Sequence, residues 1–191
     1  MAACAMVTGA VLMMPSAFAD GPRLVVDTFT ATTANMTPAG LNLRIQILEW
    51  QEADARAEVV ATLAAGADAA TPLGKLPTVG YVWPSGSPVG YSLKYAHREA
   101  QADGSERITL VTDKRLGSFD FKGWSVASPA VSNEEPYSVI ELYLNGSGAG
   151  TGTLSLVADV VLDETNGTVA LQHGAGAPGL LASVQRAASA R

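Results

Sequence analysis

Apolar and polar residues alternate along most of the chain. Between residues 41 and 48, Leu41, Leu43, Ile45 and Ile47 alternate with Asn42, Arg44, Gln46 and Leu48. A period of two predicts a strand with one buried face. Residues 23–30 form a similar segment before it. The period then changes. Trp50, Ala53, Ala57, Val60 and Ala64 fall on one helical face, with Glu52, Arg56 and Glu58 elsewhere, and Gly66 follows as a terminator. A helix is therefore predicted over 50–65, with 67–77 as a connection punctuated by Gly and Pro.

Beyond it the pattern returns to strands and turns. A short strand at 79–83 ends in Pro84-Ser85-Gly86-Ser87-Pro88. Segments 89–98 and 107–114 flank Asp103-Gly104, a two-residue hairpin signal, which would put Tyr91, Leu93, Tyr95 and His97 on one face with Ile108, Leu110 and Thr112. Segments 137–144 and 151–162 flank the Gly-rich stretch 145–150. A strand at 168–173 returns across Asn166-Gly167, the sequence of a type I′ turn. A last strand spans 180–186. About eight strands at this spacing, with one helix after the second, predict a mainly-β fold: an antiparallel sandwich or barrel. The pattern favours the sandwich.

Residues 1–19 stand apart. They carry no charge, and they end in Ala17-Phe18-Ala19 before Asp20. This is the pattern of a secretory signal peptide with a small-x-small cleavage site. Its basic n-region is missing, since the first basic residue is Arg23, which points to a start upstream of Met1. Pro15 and the cleavage site argue against an uncleaved anchor. Residues 20–191 then form one β-rich domain, secreted or periplasmic, with no transmembrane anchor after cleavage. The only cysteine is Cys4, so the mature part has none for a disulfide, a thiol nucleophile or a Cys-ligated metal. The 18 acidic and 12 basic residues give a net charge of −6 with no Lys/Arg cluster. That balance disfavours nucleic acid and a polybasic membrane patch.

Candidate chemistry is sparse. The two histidines, His97 and His173, are too few for a zinc site without a nearby acidic pair. Gly174-Ala175-Gly176-Ala177-Pro178-Gly179 matches G-x-G-x-x-G, but no helix and second parallel strand follow. Gly123-Trp124-Ser125-Val126-Ala127 lacks the second glycine of a nucleophile elbow. Glu134, Glu135 and Glu141 could pair as acid and base, or sit in solvent, the first two in a loop and Glu141 on the outward face of a strand. No cofactor is implied.

The segment 115–136 is longer than an ordinary connector and holds Phe119, Phe121 and Trp124. Such a density of rings predicts packing over an open end of the fold, or a contact surface. Packing is favoured for Trp124. The leading expectation is a non-catalytic domain binding a protein or envelope component through sheet edges and the 115–136 segment, with Phe119, Phe121, Trp124, Trp83 and Tyr91 as contact residues. The first alternative is a carrier holding a small apolar molecule inside the fold near Tyr81, Trp83, Tyr91 and Trp124. The second is a secreted hydrolase that works through carboxylates.

Overall fold

A computed structural model describes residues 24–120, 124–126, 136–156, 159–172 and 177–187. The elements are β1 (Asp27–Thr33), β2 (Met36–Thr37), β3 (Asn42–Ile47), α1 (Ala53–Leu63), a 3-10 turn (Gly66–Ala69), α2 (Ala70–Lys75), β4 (Gly80–Pro84), β5 (Tyr91–Ala100), β6 (Glu106–Thr112), β7 (Ser125–Val126), β8 (Val139–Leu144), β9 (Ala149–Leu154), β10 (Asp159–Asp163), β11 (Thr168–Gln172) and β12 (Gly179–Arg186). Eight of these strands close into an antiparallel barrel in the order β1-β12-β9-β8-β6-β5-β4-β3. The expected mainly-β antiparallel fold is present, and of the two forms the pattern allowed, sandwich or barrel, it is the closed barrel. Closure by β12 against β1 leaves none of the eight strands with a free edge, so the barrel does not offer the sheet edges expected as a partner contact.

Interior positions carry Phe29, Leu43, Ile45, Leu93, Ile108, Leu110, Leu142 and Leu154, all buried in one cluster. Thr28, Thr30, Thr32, Arg44 and Gln46 point the other way. Polar-out and apolar-in is the arrangement for water outside, the inverse of a barrel in hydrocarbon. Eight strands enclose a space just wide enough for such side chains to fill.

Two bulges keep the interior apolar where strict alternation would fail. In β5 the register shifts between Leu93 and Tyr95, so Leu93 and Ala96 both face inward. Tyr95 and His97 are thereby turned outward, off the face of Ile108 and Leu110 where a period of two placed them. In β12 the register shifts between Leu181 and Val184 around Ser183, which has a positive φ of 52°, and both aliphatic residues reach the core.

A second apolar cluster lies outside the barrel. Val59, Val60 and Leu63 of α1, with Ala69 and Leu73, cover the outward Tyr95, Val111 and Val139; Val169 and Leu171 of β11 complete it. Helix α1 starts at Ala53 rather than Trp50 because Gln51 is tied to β5: its backbone N–H donates to Ala96 O and its side chain bridges Lys94 O and Ala96 N. The predicted connection at 67–77 contains the 3-10 turn and α2. The buried Lys94 ammonium, at the β5 bulge, donates to Gly74 O (3.3 Å), Leu76 O (2.7 Å) and Thr78 Oγ1 (3.0 Å). A cation there satisfies carbonyls at the end of α2 that the helix cannot.

The predicted strand at 151–162 divides into β9, which pairs with β8 and β12, and β10, which pairs with β11. The β10–β11 pair is a separate sheet. Its turn is not type I′. Asp163 pairs with Thr168, leaving a four-residue loop in which only Gly167 has positive φ (61°). The Asp163 carboxylate fixes that loop by accepting from Thr165 N, Asn166 N and Asn166 Nδ2. At the other hairpin, Gln101 N donates to Ser105 O and Gly104 N to Gln101 O, so three residues turn rather than two. Among the described residues no helix is long and apolar enough to cross a membrane.

Candidate functional site

The described parts of the aromatic segment, residues 115–120 and 124–126, lie over one end of the barrel, where Leu116, Trp124 and Val126 join its core cluster. Tyr91, at the start of β5, is buried, and its hydroxyl accepts from Gly117 N (2.9 Å) and Phe119 N (3.2 Å). That clamp fixes residues 117–119 as a turn. Gly117 has φ of 84°, and a Cβ there would collide with the Trp124 indole. The indole needs this bare backbone to pack down, and it is 2% exposed. Its Nε1–H donates to the Asp120 carboxylate, and Arg115 Nη2 donates to Trp124 O at 3.2 Å. Pairing of β2 with β7 brings Met36 and Val126 over the same end.

Phe119 is placed differently. Its ring stacks on Tyr91 with centroids 4.6 Å apart, Lys114 Nζ lies 5.6 Å from its centroid, and 45% of the residue remains exposed. It borders a rim groove of about 420 Å³, lined also by Pro38, Leu41, Pro84, Pro88, Asp120 and Trp124. Tyr91, Phe119 and Trp124 are therefore brought together. Trp83 is not: it is half-buried on the outward face of β4 beside Tyr81, with ring centroids 5.1 Å apart. Phe121 lies outside the described residues, as do His173, Glu134, Glu135 and residues 1–19.

A second constellation, missed by the sequence reading, occupies the outer wall. On the outward faces of β5, β6, β8 and β9, His97, Thr109, Glu141 and Thr153 lie in one cross-strand row. Glu99, Arg107, Tyr143 and Thr151 form the next. Glu141 faces outward as expected, yet it is fully buried because β11 lies over it. Its Oε1 accepts from Arg107 Nη2 (2.6 Å) and Leu171 N (3.0 Å), and its Oε2 from the Tyr143 hydroxyl (2.5 Å). Three donors, one of them a cation, offset the cost of burying the carboxylate.

This environment tunes its neighbours. Burial, followed by the hydrogen bond to Glu141, raises the Tyr143 phenol to about 12. Burial also raises Tyr95 to about 12; its hydroxyl donates to Gly167 O at 3.0 Å. His97 is held below its ordinary value by burial and then by Arg56, against the pull of Glu99, with Arg107 lowering it further. Its imidazole is neutral at neutral pH.

Two clefts open on this wall. One, about 410 Å³, is lined by His97, Glu99, Arg107, Thr109, Asn166 and Thr168, with β11 as a side wall. The other, about 390 Å³, is lined by Glu99, Gln101, Ser105, Glu106, Arg107 and Tyr143. Among the described residues no group of three His, Cys, Asp or Glu could hold a metal ion. No signal in the sequence paired Arg107 with Glu141, since they are 34 positions apart and meet only through the β6–β8 register. In comparisons with protein-family models, curated proteins and solved structures, nothing matches this chain, and the functional reading rests on the geometry of these two regions.

Proposed function

We propose that this chain is an exported, non-catalytic binding domain that contacts a protein or envelope component at the rim groove. The observation that carries this reading is Phe119. Its ring is held on Tyr91 by stacking and backbone clamping, yet it stays nearly half exposed beside a groove of prolines and Leu41. A rigid, partly exposed aromatic beside an apolar recess has the character of a binding anchor. Two observations count against the alternatives. The interior positions that would hold carrier cargo are occupied by aliphatic and aromatic side chains. The Glu141 carboxylate is saturated by three donors, which suits positioning better than proton transfer.

Two measurements test the proposal. The exported protein should have the mass of a chain starting at Asp20, and a mass retaining residues 1–19 would overturn export with cleavage. A photo-crosslinking phenylalanine analogue at Phe119, in the producing cell, should give one dominant adduct. The same group at Gln46, on the outward face of β3, serves as the control. Identical adducts from both positions, or none from Phe119, would overturn the rim groove as the contact surface.

A further inference from the structure

Independently of the rim groove, we infer that the outer wall is a second binding site, and that its ligand is a neutral, hydroxyl-rich molecule of the oligosaccharide class. The two clefts share Glu99 and Arg107, so they adjoin on the outward face of β5, β6 and β8 and together make a trough there. Each lies within the size range of a small-molecule site.

The side chains specify the class. Arg107 is fixed from behind by Glu141, so its guanidinium is pre-oriented while about a third of its side chain stays exposed. Glu99 is exposed and lies opposite Arg107 on the neighbouring strand. The lining Arg107 is ion-paired to Glu141 and the lining Glu106 to Arg186, which leaves Glu99 opposite Arg107, so the trough has no strong net charge to select an anion or a cation. It presents instead a guanidinium donor, a carboxylate acceptor, a neutral imidazole that can do either, and hydroxyls of Thr109 and Thr168. Sugar hydroxyls both donate and accept, and such a mixed set matches them. Tyr143 adds the remaining requirement. Its hydroxyl is committed to Glu141, while the residue is 37% exposed beside the second cleft. A fixed ring can cover the apolar C–H face of a sugar, just as aromatic side chains pair an apolar body with a polar tip elsewhere.

The test uses the mature protein and an array of defined neutral tri- to pentasaccharides, followed by calorimetric titration of the strongest binder. At least one neutral oligosaccharide should be retained, with an affinity that does not change from low to high salt. Glu99→Ala should weaken it about tenfold, the worth of a hydrogen bond to a charged group. Glu99 is exposed, so the variant keeps the wild-type melting temperature. Tyr143→Ala should abolish retention, whereas Tyr143→Phe, which keeps the ring but loses its anchor on Glu141, should retain binding with an affinity reduced by no more than about tenfold. Retention of no neutral oligosaccharide would overturn the inference. So would preference for phosphorylated or sulfated glycans with steep salt dependence, or undiminished binding by Glu99→Ala. Phe119→Ala should leave sugar binding unchanged, which separates this site from the rim groove.

Discussion

The two faces of the barrel wall are built from the same strands and differ in what they ask of each residue. The inner face is uniform. Its described core positions are filled mainly by aliphatic side chains, with Phe29, Tyr91 and Trp124 among them. The outer face is graded. Near α1, α2 and β11 it carries Tyr95, Val111 and Val139; one row further it carries His97, Thr109 and Glu141; the next row carries Glu99, Arg107 and Tyr143. Burial therefore falls off along each strand on one side only. An inner position can change only within its volume, whereas an outer one sits where an ionisable group can be desolvated yet reached. Chemistry grafted on a fold belongs at such a gradient.

The largest expected effect is on the closed end of the inner face. Trp124→Ala removes a buried indole, its hydrogen bond to Asp120 and its contacts with the cluster. It should cost about 3–5 kcal/mol. Equal denaturant midpoints for variant and wild type would mean that the segment merely lies on the barrel. Phe119→Ala, its exposed neighbour, should stay within about 0.5 kcal/mol, as surface changes do.

On the outer face the corresponding change is Glu141→Ala. It leaves Arg107, the Tyr143 hydroxyl and Leu171 N without their acceptor. Because Arg107 is about one-third exposed, water recovers part of the loss, and the expected cost is about 2–3 kcal/mol. Release of β11 should accompany it, read as faster amide exchange at Leu171. An unchanged exchange rate would show that apolar contacts alone hold the hairpin.

The contrast also explains what could be read from the sequence. The inner face was legible because it repeats: Leu43, Ile45 and Ile47 announce a half-buried strand without reference to any other part of the chain. The mainly-β class was legible in the same way, but sandwich and barrel could not be separated, because closure is a property of the ring, decided by β12 reaching β1, and no local pattern carries it. Alternation puts His97 on the wrong face because a bulge at Lys94 has no signature in it; the bulged Lys94 meets the carbonyl of Gly74, twenty residues earlier in the chain. Glu141 resembled a solvated acid because its cover, β11, comes from a separate sheet. Of the rings at 119–124, Phe119 and Trp124 line the rim groove, and Phe121 lies outside the described residues. The outer trough was invisible, since its residues come from β5, β6, β8 and β11 and share only a place in the register.

A smaller effect joins the two outer regions. The Gly167 turn lies against α1: a Cβ would meet Ala57 N at 3.1 Å, and φ of 61° disfavours a branched residue. Gly167→Val should therefore destabilise by about 2 kcal/mol. Tyr95→Phe, which removes only the hydroxyl bound to Gly167 O, should cost about 1 kcal/mol. A larger loss from Tyr95→Phe than from Gly167→Val would mean that this single hydrogen bond, rather than backbone conformation, seats the hairpin.

The smallest expected effect concerns pH and tests whether the outer gradient desolvates its histidine. His97 is surrounded by Tyr95 on its own strand, Arg56 from α1, Glu99 beside it and Arg107 across on β6. Its folded value lies below the ordinary 6.5, so on acidification the unfolded chain takes the proton first. The stability due to the neutral imidazole is complete above about 6.5 and is lost as pH falls through the folded value. His97→Gln keeps a neutral polar side chain and removes this step. Its melting temperature should therefore fall less steeply than that of the wild type from about pH 7 to about pH 5, while the protonation of carboxylates acts on both proteins alike. Parallel curves would place His97 in water and shift the burial gradient inward to Tyr95.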